Sequence, residues 1–144
     1  VPVVRAPEEL TRAFREQGWK VTPQRQLLFR LLHGNEVHPS AEALYAVASA
    51  QMPGISLRTV YQTLTDLVAM GELRRLDLVP GSARFDPNVE RHHHLMCSVC
   101  GDVRDVYLDP TDDPARSPLD GADGFVVDTA DVVFRGRCAR CATA

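Results

Sequence analysis

All four cysteines of the chain lie in its last third, as two Cys-x-x-Cys pairs, Cys97/Cys100 and Cys138/Cys141, separated by 37 residues. Four thiolates grouped two by two match the demand of a tetrahedral ion. Zinc, which brings no geometric preference of its own, accepts four such sulfurs at about 2.3 Å. With every position filled by protein, nothing is left for a substrate, so the role expected is structural. A part of about 55 residues needs such a staple, because so small a core is marginal alone. The alternatives are redox-active Cys-x-x-Cys pairs or free buried thiols. A disulfide framework would spread its cysteines and follow an export leader. The opening Val1-Pro2-Val3-Val4-Arg5 is too short for one, so the cytoplasm is the expected compartment.

The apolar share of 44% and charged share of 24% are those of a soluble globular chain. No apolar run approaches the roughly 18–20 residues of a membrane span. The net charge of −3 is unevenly spread. Residues 1–91 carry 11 Lys/Arg against 10 Asp/Glu, giving +1, whereas residues 92–144 carry 5 against 9, giving −4. An anionic partner therefore belongs with the first part, with dimerisation or a local patch concentrating its positive charge.

Residues 7–17 read as a short helix ended by Gly18. Thr22-Pro23 opens a second helix, with an apolar stripe of Leu27, Leu28, Leu31 and Leu32 stopped at Gly34-Asn35. A third begins at Ser40 and stops at Pro53-Gly54. A fourth runs from Ser56 to about Met70, with Val60, Leu64, Leu67 and Val68 inward and Arg58, Thr59, Tyr61 and Gln62 left for another face. Leu73–Val79 and Ala83–Phe85 read as strands around Pro80-Gly81-Ser82. Helices followed by a hairpin are the plan of a winged helix-turn-helix, whose last helix enters the major groove of DNA. Arg58 and Gln62 suit base edges or phosphates, and Tyr61 a thymine methyl or, alternatively, the wing. Arg74 and Arg75 suit phosphate or no contact. Asp86-Pro87-Asn88 reads as a linker. Beyond it, strands are expected at His92–Met96, Val103–Leu108 and Phe125–Phe134, with at most a short helix in Asp109–Gly124. The fold class is thus α+β, a winged-helix domain (1–87) before a smaller α/β domain (88–144).

Three consecutive histidines precede Cys97. On a strand His92 and His94 share one face and His93 takes the other, and two imidazoles on one face make half a metal site. Asp86 and Asp105 are the nearby carboxylates. His38, alone at the start of the third helix, reads as a surface residue, and His33 as a cation at a helix C-terminus.

The segments Thr22-Pro-Gln-Arg, His38-Pro-Ser-Ala-Glu, Ser56-Leu-Arg-Thr-Val-Tyr-Gln, Arg84-Phe-Asp, His92-His-His-Leu-Met-Cys-Ser-Val-Cys-Gly and Cys138-Ala-Arg-Cys together resemble the ferric uptake regulator (Fur) family, from about residue 8 onward. The resemblance implies a homodimer, with residues 88–144 as dimerisation and metal-binding domain. It also implies a regulatory metal site on His38, Asp86, His92, His94 and Asp105, so that His38 becomes a ligand, and it places the structural zinc on Cys97, Cys100, Cys138 and Cys141. Aspartates at 86 and 105 resemble the peroxide-regulator branch more than the iron-uptake branch. Three features depart from iron-uptake members: His93 replaces an acidic residue, Thr129–Val132 lacks a histidine, and Pro110, Pro114 and Pro118 interrupt a usual helix.

Three imidazoles and two carboxylates suit Fe(II) or Mn(II). The function implied is a metal-dependent cytoplasmic repressor of double-stranded operator DNA, controlling peroxide response or metal uptake, with no membrane and no small organic substrate. Iron or manganese uptake control without peroxide sensing is the alternative. Other classes are a zinc-stapled metallohydrolase, disfavoured by the lack of a His-Glu-x-x-His motif or a spare general base, and a protein-interaction module. The latter leaves the Thr-Val-Tyr helix unexplained.

Overall fold

The computed structural model describes residues 4–35, 37–79 and 82–143, with backbone alone at Val79 and Ser82. The Pro80-Gly81 turn lies outside the described residues. The chain divides into two compact units, residues 1–90 and 91–144.

The first unit runs α1 (Pro7–Glu16), α2 (Pro23–Leu32), α3 (Ala41–Gln51), α4 (Leu57–Ala69), β1 (Arg74–Val79) and β2 (Ser82–Asp86). Three of the helices start on the expected caps. The hydroxyls of Thr22, Ser40 and Ser56 accept from the N–H groups of Arg25, Ala43 and Thr59, each satisfying a donor the helix cannot. α4 ends in the left-handed turn that Gly71 permits (φ 79°), with Gly71 N–H on the Val68 carbonyl and Glu72 N–H on that of Leu67. The stripes of these helices converge on one core, which includes Leu10, Phe14, Leu28, Phe29, Leu32, Val60, Leu64, Leu67 and Phe85. Phe14 meets Phe29 edge-on at 4.8 Å and Trp19 at 5.2 Å, a favoured aromatic geometry. Each large apolar side chain so buried stabilises the unit by about 1.5–3 kcal/mol. His33 anchors the N-terminal segment, its Nδ1–H donating to the Val4 carbonyl at 2.9 Å.

β1 and β2 pair antiparallel, Arg74 opposite Asp86 and Leu76 opposite Arg84, with a register shift before Val79 and Ser82. α2 to α4 followed by this hairpin form the winged helix-turn-helix. The segment after β2 differs from the expected linker. Asp86, Pro87 and Asn88 are buried, and two side-chain turns follow one another. Asp86 Oδ1 accepts from Asn88 N–H at 2.9 Å, and Asn88 Oδ1 from Glu90 N–H at 3.1 Å. The residues that read as punctuation fold back on their own backbone.

The second unit holds β3 (His93–Cys97), β4 (Val103–Val106), a 3-10 turn at Pro114–Arg116, β5 (Val133–Gly136) and a one-turn helix α5 (Ala139–Ala142). The sheet order is β4-β3-β5, with β4 antiparallel and β5 parallel to β3. The strand expected at Phe125–Phe134 is a correction: only Val133–Gly136 pairs. The partner β3 offers five residues, so the earlier stretch has no ladder to join, and Phe125 and Val126 are exposed. α5, on the second cysteine pair, had no apolar period to announce it. Among the described residues of this unit the buried side chains are those of His92, His93, His94 and Cys97, so its centre is made of ligand-type groups. No helix among the described residues is long and apolar enough to cross a membrane.

Candidate metal centres and nucleic-acid interface

The thiols of Cys97, Cys100, Cys138 and Cys141 lie within 4.8 Å of one another. β3 delivers Cys97. A tight turn, closed by Gly101 N–H on the Cys97 carbonyl with Gly101 at φ 77°, brings Cys100 back beside it. Cys138 is the N-cap residue of α5 and Cys141 sits one turn later, which places both sulfurs on one side. Cys100 Sγ and Cys138 Sγ are 3.8 Å apart. That is far beyond a disulfide's roughly 2.0 Å. It equals the edge, about 3.8 Å, of a tetrahedron with metal–sulfur bonds of about 2.3 Å. The donor set therefore fits zinc.

The electrostatics agree. Backbone N–H groups of Cys100 and Cys138 lower the Cys97 thiol to about 6, and the Cys141 amide lowers Cys138. Its hydrogen bond with Cys138 pushes the Cys141 thiol up to about 12. Four sulfurs at this spacing cannot all be thiolates without a cation among them, so loading releases protons.

Two further groups of ligand-type side chains lie one in each unit, all of them buried except the half-buried Asp105. In the first, His38 Nε2 lies 3.3 Å from Asp86 Oδ2, and both residues are almost wholly shielded. The Asp86 carboxylate is divided between Asn88 N–H on one oxygen and this imidazole on the other. In the second unit Asp105 Oδ1 stands 3.2 Å from His92 Nε2 and 3.7 Å from His94 Nε2. Strand register explains this arrangement. His94 is directly opposite Asp105 on β4, so their side chains share a face, and His92 is two residues back on that face. The two rings meet edge-on at 4.6 Å, and Tyr107 flanks His92 at 5.8 Å. His93 takes the other face, as strand alternation requires, and its Nδ1 accepts from Val132 N–H at 3.0 Å. The resemblance-derived ligands thus fall into a His38–Asp86 pair and a His92–His94–Asp105 trio, each assembled within its own unit.

The sequence-predicted DNA face is partly assembled. Arg58, Thr59 and Gln62 line a groove of about 310 Å³ together with Lys20, Thr22, Gln24 and Arg25. Asp66 organises it, accepting from Gln62 at 3.0 Å and pairing with Arg25 at 3.0 Å. Neither α2 nor α4 has an acidic residue in its first turn, so both helix N-termini keep their partial positive charge. Lys20 and Arg25 escaped the sequence reading, although their position around the Thr22-Pro23 helix start was a usable signal. Tyr61 is not part of this groove: its hydroxyl donates to Glu42 Oε1 at 2.5 Å. This bond lowers the Glu42 carboxyl and raises the Tyr61 phenol.

The profile of the Ferric uptake regulator family matches residues 16–134. The chain belongs to this family. Among curated Fur-family relatives, the peroxide-responsive repressor PerR of Staphylococcus epidermidis is 34% identical over 106 residues, covering 74% of this chain and 71% of that one. The PerR of Staphylococcus aureus is 36% identical over 98 residues, covering 68% of this chain and 66% of its own length, just under two thirds. Both are named as repressors. The fold is that of the Helicobacter pylori ferric uptake regulator, described with three functional metal binding sites (TM-score 0.75, 18% identity, 100% and 99% of the two chains covered). A zinc-bound manganese uptake regulator is also similar (TM-score 0.69, 27% identity, 93% and 99% covered). Membership makes the chain a regulator of the Fur type, and solved structures similar to it include regulators with iron, with zinc and with manganese.

Proposed function

We propose that this protein is a homodimeric repressor that binds operator DNA when a regulatory Fe(II) or Mn(II) ion is held by His38, Asp86, His92, His94 and Asp105, with zinc on Cys97, Cys100, Cys138 and Cys141 as a permanent staple. The observation that carries the reading is the burial of three imidazoles and the Asp86 carboxylate in a Fur-family chain, with the half-buried Asp105 carboxylate against two of the imidazoles. Burying such groups costs several kcal/mol unless they are paired or coordinate a metal. The divalent ion supplies the positive charge that lets nitrogen and oxygen donors share one point.

The residues do the rest. Asn88 N–H and the β3–β4 register hold the carboxylates where the imidazoles need them. His38 and Asp86 belong to the DNA-binding residues 1–87, the other three to the dimerisation residues 88–144. An ion requiring both sets selects one arrangement of the chain and shifts the population toward it. A hundredfold gain in operator affinity corresponds to about 2.7 kcal/mol of coupling. Arg58, Thr59, Gln62 and Tyr61 act at the DNA, Tyr61 after leaving Glu42.

The test is retention of fragmented genomic DNA by zinc-loaded protein with and without Mn(II). Retention is expected only with Mn(II), and is expected to be lost in His92→Ala and Asp86→Ala. Equal DNA affinity with and without divalent metal, in a zinc-intact dimer, refutes the reading. Asp86, Asp105 and the PerR relatives favour peroxide response over simple metal-uptake control. One added oxygen on His38 or His92, found by mass spectrometry after Fe(II) and peroxide, is the distinguishing result.

A further inference from the structure

The His38–Asp86 pair is held by more than its own two side chains. β2 reaches the turn before α3 with three consecutive residues. The Arg84 guanidinium donates through Nη1 to the His38 carbonyl at 3.1 Å. Phe85 N–H donates to the Pro39 carbonyl at 2.9 Å, while its ring is buried in the core. Asp86 Oδ2 faces the His38 imidazole at 3.3 Å. Alternation along the strand puts the Arg84 and Asp86 side chains on one face and Phe85 on the other. One strand therefore fixes both the main chain and the ring of His38.

We infer that Arg84 is a positioning residue for the regulatory site, setting the His38 backbone so that its imidazole meets the ion beside Asp86. The inference rests on the proposed regulatory reading and deepens it. The wing strand that carries Asp86 also carries the group that aims His38.

Charge alone argues for the opposite effect, and this gives the proposal a sign to be tested. A guanidinium near a cation site repels the cation, so removing it should tighten binding on Coulombic grounds. A positioning role demands that removing it weaken binding, by about 10–100-fold as for other groups that orient metal ligands.

The experiment is calorimetric titration of Mn(II) into the full-length, zinc-loaded protein and its Arg84→Ala, Arg84→Gln and Arg84→Lys variants. Zinc content and thermal melting serve as folding controls. Arg84→Ala is expected to bind about 10–100-fold more weakly. Arg84→Lys should recover affinity, because an ammonium also donates to a carbonyl, whereas an uncharged donor too short to reach it, in Arg84→Gln, should not. In the metal-free protein the His38 ring resonances should broaden or shift in Arg84→Ala, with those of His93 unmoved. Mn(II) affinity in Arg84→Ala equal to or above that of the native protein overturns the proposal. If Arg84→Ala does not fold, Arg84→Gln binding as tightly as Arg84→Lys overturns it. Native protein that takes up no Mn(II) overturns instead the regulatory reading beneath it.

Discussion

Stripping zinc from this protein should unfold one unit and spare the other. Residues 91–144 bury no aliphatic or aromatic hydrocarbon side chain among those described, only Cys97 and three histidines. Residues 1–90 hold a contiguous core of sixteen apolar residues. Ordering a backbone costs about 1–2 kcal/mol per residue, and the first unit offsets this with burial worth about 1.5–3 kcal/mol for each large side chain. The second, taken as a single chain, has only half-buried apolar side chains such as Met96, Val103 and Val133 to set against that cost. The largest contribution left is metal binding, about 10–16 kcal/mol for structural zinc in small zinc-finger peptides, which is comparable to the whole stability of an ordinary domain, about 5–15 kcal/mol. Removing one thiolate, as in Cys138→Ser, should therefore abolish the fold of the second unit. Hydrogen exchange on chelator-treated protein, with metal loss verified by elemental analysis, is the assay. Amides of β3 to β5 should lose protection, while those of α2 and α4 keep theirs. Persisting protection in β3 after complete zinc loss would show that something other than the thiolate cluster holds this unit, and the reasoning would fail.

Phe29→Ala removes the ring that meets Phe14 at 4.8 Å and should cost about 3–5 kcal/mol in urea unfolding of the first unit. Ser56→Ala removes the cap of α4, with a loss of about 1 kcal/mol in the same assay. Glu42→Gln should bring the Tyr61 phenol back toward its ordinary range, followed by its ultraviolet absorbance under alkaline titration, since the raised value comes first from the Glu42 hydrogen bond. The Glu42 carboxyl is lowered by the same bond. Its small stabilising effect is present above the ordinary carboxylate range and fades as pH falls through the lowered value.

Much of this molecule is legible from side-chain chemistry because its decisive signals are local. Thr22, Ser40 and Ser56 announce helix starts through their own hydroxyls, and the alternation of His92, His93 and His94 predicts which two share a face. The sequence misleads where partners far along the chain decide. Phe125–Val132 carries apolar residues enough for a strand, but the length of β3 sets how much of it pairs. Asp86-Pro87-Asn88 has the composition of an exposed linker, yet its carboxylate and amide bond inward to the backbone. Tyr61 sits on the expected surface of α4, and a carboxylate nineteen residues earlier takes its hydroxyl. His38 by itself reads as a surface residue and became a ligand only through the family resemblance, because Asp86 and Arg84, which β2 brings to it, lie more than forty residues away.

The odd histidine of the three has its own task in assembly. Val132 donates its N–H to the His93 ring and lends its carbonyl to the N–H of His94, so one residue is clasped from both sides just before β5 begins. Alternation of faces forbids a slip of one residue between paired strands but not a slip of two, which keeps every side chain on its own side. A slip of two residues, roughly 6.6 Å at about 3.3 Å per residue, would sweep the second thiol pair out of range of the first. The imidazole acts as a bookmark: it marks the row at which the returning chain must enter the sheet, so that the sulfurs arrive together.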